Sequence, residues 1–536
     1  MIIIALAMSI VLSVFSTVVM SYISMATPIG PWIAPTLALM SIPIFSFFRS
    51  TRNDSPQDAG LVTSAGSIGG ILATGMGFSL PTLYFVDPVL FNSWMAQPFY
   101  FCAMLSGLAL SAGAFGLWIA NVLEHKFIVE QQLAFPVGQL VYKMIAVETH
   151  IKKTWGLFTG FVGTMVFCVM QDGIAPLFRG FIPHHITVVP ALTFNVVRIP
   201  ALQFDIWPMV WAIGFVTGHV IAIPLAVGAC TKIFLIDPLN VLYFGSLSHV
   251  EFILAFCSGM VISGTLMSFI GAPKMLWTAV KKMLNGGVSN FNFKNAAGLS
   301  KKDLIQLGCL LVILVSFLTY IGLSVLAQIY LLVFTAMCTY EIAEQAGKMG
   351  LATLGRFATF VMVPGMLLFN LSLMHLVFIA AFVEICGGVA ADVLFGRKIA
   401  QCAGIQKSKM EMYQWLGLLV SGLTVGAIFW LLINHFQLGS PELFALKAQN
   451  RQLLLSARNF NVYVLVLGFI FGFMLKKVKV NPSLVLGGIL MPLNISLGLV
   501  LGGLCTLFTS DRESWYPFWS GVFASNSVWM LIRALL

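Results

Sequence analysis

Apolar runs of about 20 residues, the length that crosses a bilayer, recur from one end of this chain to the other with short polar stretches between them. They fall at 2–23, 30–48, 61–84, 99–123, 156–173, 206–235, 250–272, 304–340, 354–383, 413–436, 461–475, 483–509 and 518–535. Each reads as helix. The run 304–340 would measure about 55 Å as one helix, against a hydrocarbon core of about 30 Å, so it predicts a helix pair or one span plus a re-entrant piece. The pattern predicts an all-α polytopic membrane protein, a bundle of about 13 to 16 transmembrane helices with broken or re-entrant segments. A single transmembrane domain fills 1–536, with the polar stretch 285–300 able to divide it into halves 1–284 and 301–536.

Basic loops orient the spans by the positive-inside rule. Arg49 and Arg52 in 49–58, Lys126, Lys143, Lys152 and Lys153 in 124–154, and Arg397, Lys398, Lys407 and Lys409 in 384–412 place those loops in the cytoplasm. The loop 85–98 carries Asp87 and no Lys or Arg, which suits the opposite side, so the N-terminus is expected in the cytoplasm. Strict alternation then puts the lysine-rich stretch 273–303 outside, against the rule. A further crossing or re-entrant element is therefore expected between 174 and 250, with the proline-punctuated stretch 174–205 the favoured place.

Composition supports this class. The chain is 59% hydrophobic and 9% charged, where soluble domains run at about 45–50% and about 25%. The first run lacks the basic start and small-residue cleavage site of a signal peptide and reads as a retained span. The net charge of +10 sits in loops, so nucleic-acid binding is a poor explanation of it. Nine cysteines are scattered singly with no CxxC pair and read as small buried hydrophobes. No metal site or cofactor is expected, since the adjacent His184 and His185 lack partner ligands at metal spacing.

The run 61–84, LVTSAGSIGGILATGMGFSLPTLY, stands apart. It is uncharged and rich in glycine, serine and threonine, with Pro81 near its end. A helix that only faces lipid needs none of these; small residues serve close backbone packing or a cavity. Gly66, Gly69, Gly70 and Pro81 are therefore candidate pathway residues. The loop VEQQLAFPVGQLVYKM (129–144) has a defined shape, because Pro136 fixes φ and Gly138 permits a bend; Phe135, Pro136 and Gly138 join the candidates. In 481–504, NPSLVLGGILMPLNISLGLVLGGL, prolines bracket a glycine-containing run with Asn494 beyond it, as in a half-helix exposed to a cavity.

Ionisable groups at membrane depth are candidates for function. Glu341 and Glu344, in TYEIAEQAGKMG, share a helix face. Glu384 and Asp392 flank CGGVAA, whose glycines can interrupt a helix begun near Arg356. Such acids can carry a proton or simply end a helix at the interface. His375 reads as a satisfied interior histidine. No GxSxG, HExxH, Walker A or paired His box occurs, so neither an enzyme nor an ATP-driven pump is indicated. Secondary transport leads, with a passive channel or pore for small solutes as the alternative.

Five blocks occur in an order that resembles the oligopeptide transporter superfamily: SAGSIGGILATGMGFSLPTLYF, EQQLAFPVG, TYEIAEQAGKMGLATLGRF, GGVAADVLFGRKIAQCAGIQKSKMEMYQWLG and GGILMPLNISLGLVLGG. The resemblance implies an all-helical carrier of small peptides or peptide-like metal chelates, usually driven by protons. Phe135–Gly138 resembles the family's FPSG or FPEG loop, and Ala391–Lys398 its helix end bearing an acid, here Asp392. The NPG and KIPPR-type motifs are missing, with Asn481, Pro482 and Ser483 the nearest approach, and this favours the prokaryotic and yellow stripe-like branch. The implied partners are a small-molecule substrate, protons and membrane lipid, in a cell membrane. Among Glu341, Glu344, Glu384 and Asp392, one is expected to take the proton. An oligomer is compatible with this reading.

Overall fold

The structure is a computed structural model that describes residues 2–27, 32–47, 55–146, 150–174, 178–190, 192–194, 197–199, 202–245, 247–263, 301–349, 352, 354–369, 371–440, 442–456, 461–478, 480, 482–490, 493–509 and 512–535. Helices α1 (Ile2–Ala26) and α2 (Ala34–Phe47) precede α3 (Ser55–Ser79). Pro81 has no N–H with which to extend the ladder; it opens α4 (Pro81–Val86) after a turn at Leu80. In α5 (Pro88–Met95) the Leu90 N–H donates to Asp87 Oδ1 at 3.0 Å, a side-chain cap. Next, α6 (Pro98–Glu124) runs into a π-helical turn, His125–Glu130, and α7 (Pro136–Ala146) follows a short loop.

After α8 (His150–Asp172) come six short strands, β1 (Gly173–Ile174), β2 (Phe178–Arg179), β3 (His185–Val189), β4 (Leu192–Phe194), β5 (Val197–Ile199) and β6 (Leu202–Asp205). They pair antiparallel as β1·β2, β3·β6 and β4·β5, the last hairpin nested within the pair before it. In the stretch 174–205, the favoured place for the crossing or re-entrant element expected between 174 and 250, the described residues form β-hairpins and no crossing helix. Closely spaced prolines suit short extended segments better than a helix. Helix α9 (Pro208–Thr217) breaks from α10 (His219–Thr231) at Gly218, whose φ of +73° a helix cannot continue. A π-turn, α11 (Asp237–Tyr243) and α12 (His249–Ser263) complete this stretch.

The run 304–340 is a helix pair, α13 (Lys301–Tyr320) and α14 (Val325–Met349), turning at Gly322 with φ +93°. Then come α15 (Leu354–Leu368), α16 (Leu373–Ala403), closed by Gly404 at φ +67°, and α17 (Lys407–His435). The chain ends with α18 (Leu446–Ser456), α19 (Val462–Lys477), α20 (Pro482–Leu490), α21 (Leu493–Phe508) and α22 (Arg512–Leu535).

The expected count of 13 to 16 spans does not hold. Among the described residues seven helices are long and apolar enough to cross a membrane: Ile3–Ala26, Gln57–Val86, Pro98–Glu130, Ala222–Tyr243, Val325–Gly347, Leu373–Ala403 and Lys407–His435. Several runs read as spans are shorter helices. At 14 residues α2 extends about 21 Å, and at nine residues α20 extends about 14 Å. Hydropathy measures how apolar a run is, not whether one unbroken helix carries it. The lysine-rich stretch 273–300, with its polar segment 285–300, lies outside the described residues.

Contacts sort the chain into two compact units, one of Met1–Ser24, Trp32–Val147 and Ser268–Asn434, the other of Met25–Pro31, Glu148–Met267 and His435–Leu536. In the first, α16 packs against α3, α6, α14 and α15. Every residue from Leu376 to Ala400 on α16 is buried, as is every residue from Ala59 to Leu83 on α3 and α4. In the second, α8 packs on α22, α9 on α21, and α10 on α20 and α21.

Candidate functional site

The seam between α3 and α16 joins two helices that run antiparallel. Gly60 lies against Ile399 at one end and Gly75 against Ile385 at the other. Two carboxyls are buried in this seam, each facing a serine. Ser67 Oγ lies 2.6 Å from Asp392 Oδ2, and Ser79 Oγ donates to Glu384 Oε2. Glu384 is 0% exposed and Asp392 1%. The expectation that CGGVAA interrupts a helix begun near Arg356 is corrected: α16 begins at Leu373 and runs unbroken through it. Its glycines serve packing, Gly388 against Ile71 and Gly387 against Ile342. The two acids therefore stand inside one helix, about 12 Å apart along its axis.

The glycines of α3 are places of close approach. A Cβ on Gly66 would come within 3.0 Å of Leu37, one on Gly70 within 2.6 Å of Ile33, and one on Gly69 within 2.6 Å of the Ser13 carbonyl and Thr17 Oγ1. Facing them, α1 carries Ser9, Ser13, Ser16, Thr17, Ser21 and Ser24, all buried. Ser16 donates to the Gly66 carbonyl at 2.5 Å and Ser13 to that of Ala65 at 3.2 Å. Interhelical hydroxyl bonds of this kind hold membrane helices together where lipid supplies no hydrophobic driving force. Pro81, also buried, is the first residue of α4.

The FPVG loop docks on the same helix. Phe135 is fully buried with φ +43°; its N–H donates to the Gly347 carbonyl of α14 at 2.8 Å, and its ring meets Phe395 edge-on at 5.9 Å. Pro136 opens α7, and a Cβ on Gly138 would stand 2.7 Å from the Phe395 carbonyl. Trp32 also meets Phe395 edge-on, at 4.8 Å. Helices α14 and α16 run parallel, with Tyr330 beside Gly365 and Ile379 further along, Thr339 beside Cys386 and Ile342 beside Gly387. Glu341 and Glu344, 7% and 5% exposed, thus lie in the half of this pair that contains Asp392. Asn494 falls at the start of α21, in the second unit.

Sequence reasoning placed Arg397 and Lys398 in a cytoplasmic loop, 384–412. Both belong to α16 instead, and the connection to α17 is only residues 404–406. The buried Arg397 donates to Asn121 Oδ1 at 2.8 Å and to the Lys407 carbonyl at 3.1 Å; Asn121 in turn donates to Glu411 at 2.9 Å. Lys407 Nζ meets Glu124 at 2.8 Å. Beside Asn121 opens an apolar groove of about 340 Å³ between α6, α13 and α17, lined by Trp118, Leu310, Ile313 and Trp415 among others. None of the candidate residues lines it.

The sequence reading missed Ser67, Ser79 and Gln414. Gln414, fully buried on α17, donates from Nε2 to Ser64 Oγ and to the Val393 carbonyl, both at 3.0 Å, and so ties α17 to α3 and α16 beside Asp392. The hydroxyl stripe of α1 was legible, since Ser9, Ser13, Ser16 or Thr17, Ser21 and Ser24 recur at helical spacing.

Long apolar helices with acids and hydroxyls packed between them define an integral membrane protein whose polar groups face inward. The chain matches the family of OPT oligopeptide transporter proteins over residues 3–526 and belongs to it; it is a multi-pass membrane transporter. A search of the curated proteins finds no match.

Proposed function

We propose that the protein is a proton-coupled secondary transporter, a symporter of oligopeptides or peptide-like metal chelates, of the prokaryotic and yellow stripe-like branch. Family membership supports transport. The observation that carries the coupling is the pair of buried carboxyls inside one long apolar helix, Glu384 and Asp392, each hydrogen-bonded to a serine of the glycine-rich α3. A carboxyl at membrane depth is costly when charged, so a group that gains and loses a proton with each cycle has a reason to be there. Glu341 and Glu344 are the other acids of this unit within reach of the same role. The substrate path runs along α3, with Gly66, Gly69, Gly70 and Pro81 shaping its backbone and Phe135, Pro136 and Gly138 holding α7 against α16. The protein resides in the cell membrane, embedded in lipid, with a cytoplasmic N-terminus.

Uptake into proteoliposomes of a mixed di- to hexapeptide library and of metal chelates, with and without an imposed proton gradient, tests this. Gradient-dependent accumulation of either class is expected. Downhill equilibration that ignores the gradient would make the protein a passive pore.

A further inference from the structure

Donors and acceptors around Asp392 do not balance. Ser67 Oγ lies 2.6 Å from Asp392 Oδ2 and 3.2 Å from the Ser64 carbonyl. A hydroxyl has one proton to give, and a carbonyl can only accept. Gln414 gives both Nε2 protons away, to Ser64 Oγ and to the Val393 carbonyl, while its Oε1 is buried with no hydrogen-bond partner among the described residues. Among those residues the Asp392 carboxyl has one hydrogen bond, the one to Ser67, and no cation pairs with it. The cluster is acceptor-rich and short of a proton.

An ionised Asp392 would be a buried charge held by one hydrogen bond, a costly arrangement in a medium that water does not reach. A protonated Asp392 removes that charge. Its own O–H donates to Ser67 Oγ, and Ser67 then donates to the Ser64 carbonyl, so each proton in the chain has one acceptor. From this geometry we infer that Asp392 is the seat of the coupling proton and that Ser67 is the positioning residue that turns its hydroxyl between the Ser64 carbonyl, when Asp392 is protonated, and the carboxylate, when it is not. The inference rests on the proton-coupled reading above and names the residue that carries it.

Because Ser64 is also bonded to Gln414, loss of the proton alters the hydrogen bonding of α3, α16 and α17 at one point. That is how a single proton reaches helix packing. The other ionisable groups on the helices packed on α16 are Asp58 on α3, Tyr84 on α4, Tyr100, Cys102 and Glu124 on α6, Tyr142 and Lys143 on α7, Tyr330, Cys338, Tyr340, Glu341, Glu344 and Lys348 on α14, and Arg356 on α15. His375, Glu384, Cys386, Arg397, Lys398 and Cys402 share α16 itself, and Lys407, Lys409, Glu411, Tyr413 and His435 lie on α17. Among the described residues none of these is bonded to Asp392.

Infrared difference spectroscopy of the purified full-length protein, titrated with pH in the absence of substrate, tests the assignment. The carbonyl stretch of a protonated carboxylic acid is expected at neutral pH, absent from Asp392→Asn. Asparagine can still donate to Ser67, so that variant keeps the neutral arrangement. In Ser67→Ala both forms lose a hydrogen bond and the carboxylate loses the stronger, charge-assisted one, so the band is expected to persist to a pH about one unit higher, a roughly tenfold change in proton affinity. An unchanged band in Asp392→Asn would overturn the assignment, and an unmoved titration in Ser67→Ala would overturn the role of Ser67; should Asp392→Asn not fold, Ser67→Ala decides alone. Uptake of the peptide library separates the two readings. Wild-type protein that ignores a proton gradient sinks the symport reading, while a coupled wild type whose Asp392→Asn variant stays coupled sinks this inference only.

Discussion

The amide of Phe135 reaches across from the FPVG loop to the last turn of α14, where it donates to the Gly347 carbonyl at 2.8 Å. A Cβ on Gly347 would sit 3.0 Å from the Phe135 ring, so the bond and the stacking of ring on backbone occur together. This clamp, with Phe395 behind it, fixes where α7 starts relative to α14 and α16. Replacing Phe135 by Ala removes a fully buried ring and is expected to destabilise the first unit by about 3–5 kcal/mol. Thermal unfolding of the detergent-purified protein, followed by the fraction remaining monodisperse after heating, measures it.

Gly69 is the tightest of the three candidate glycines of α3, with the Ser13 carbonyl, Thr17 and Ser421 all close to where its Cβ would stand. Gly69→Leu should push α1 and α17 off α3, at about 1–3 kcal/mol or more. Gly163, where nothing lies within 4 Å of an added Cβ, is the control, and Gly163→Ala should leave the melting temperature unchanged. Equal effects of the two changes would refute the packing role.

Glu384 is bonded to Ser79 in a buried seam. Glu384→Gln retains an acceptor for that hydroxyl and should fold with near wild-type stability. Glu384→Ala leaves Ser79 without that acceptor and opens a void, for a loss of about 2–5 kcal/mol by the measured range for large-to-small changes. Expression level and melting temperature of the two variants side by side read this out.

Arg397 and Lys407 differ in what surrounds them. The Arg397 side chain is 1% exposed, that of Lys407 58%. Removing Arg397 strips Asn121 of a charge-assisted partner inside the protein, so Arg397→Ala is expected to cost about 3 kcal/mol. Lys407→Ala should cost no more than about 1 kcal/mol, because Lys407 is itself exposed and Glu124, 17% exposed, keeps Arg397 Nε at 4.0 Å. A melting shift for Lys407→Ala as large as that for Arg397→Ala would contradict the arrangement.

What the amino-acid order disclosed was local. The break at Gly322 followed from a run too long for one crossing, and the small residues of 61–84 announced close packing before any partner was known. The partners themselves were hidden, because Ser67 and Asp392 are 325 positions apart. The number of crossings was misread for a related reason: α2 and α20 are nearly as apolar as α1 or more so, and nothing in a run of Leu and Ile says that it breaks at nine or fourteen residues. The hairpins of 173–205 and the placement of Arg397 inside α16 were also out of reach, since charge near an apolar run reads as a loop until a network such as Asn121 and Glu411 is seen around it.

The burial of α3 and α4 from Ala59 to Leu83 bears on how the chain is made. A helix with no face for lipid, and with so much serine, threonine and glycine, gains little from the bilayer when it first emerges from the ribosome. Its first companion, α1, is already synthesised, but α16 is completed only some three hundred residues later. Until then Ser67 and Ser79 have no carboxyl to meet. The nascent helix must be sheltered, by α1 and α2 or by the insertion machinery, and changes that weaken its contact with α1 should show first as degraded, unassembled chain rather than as a carrier with altered transport.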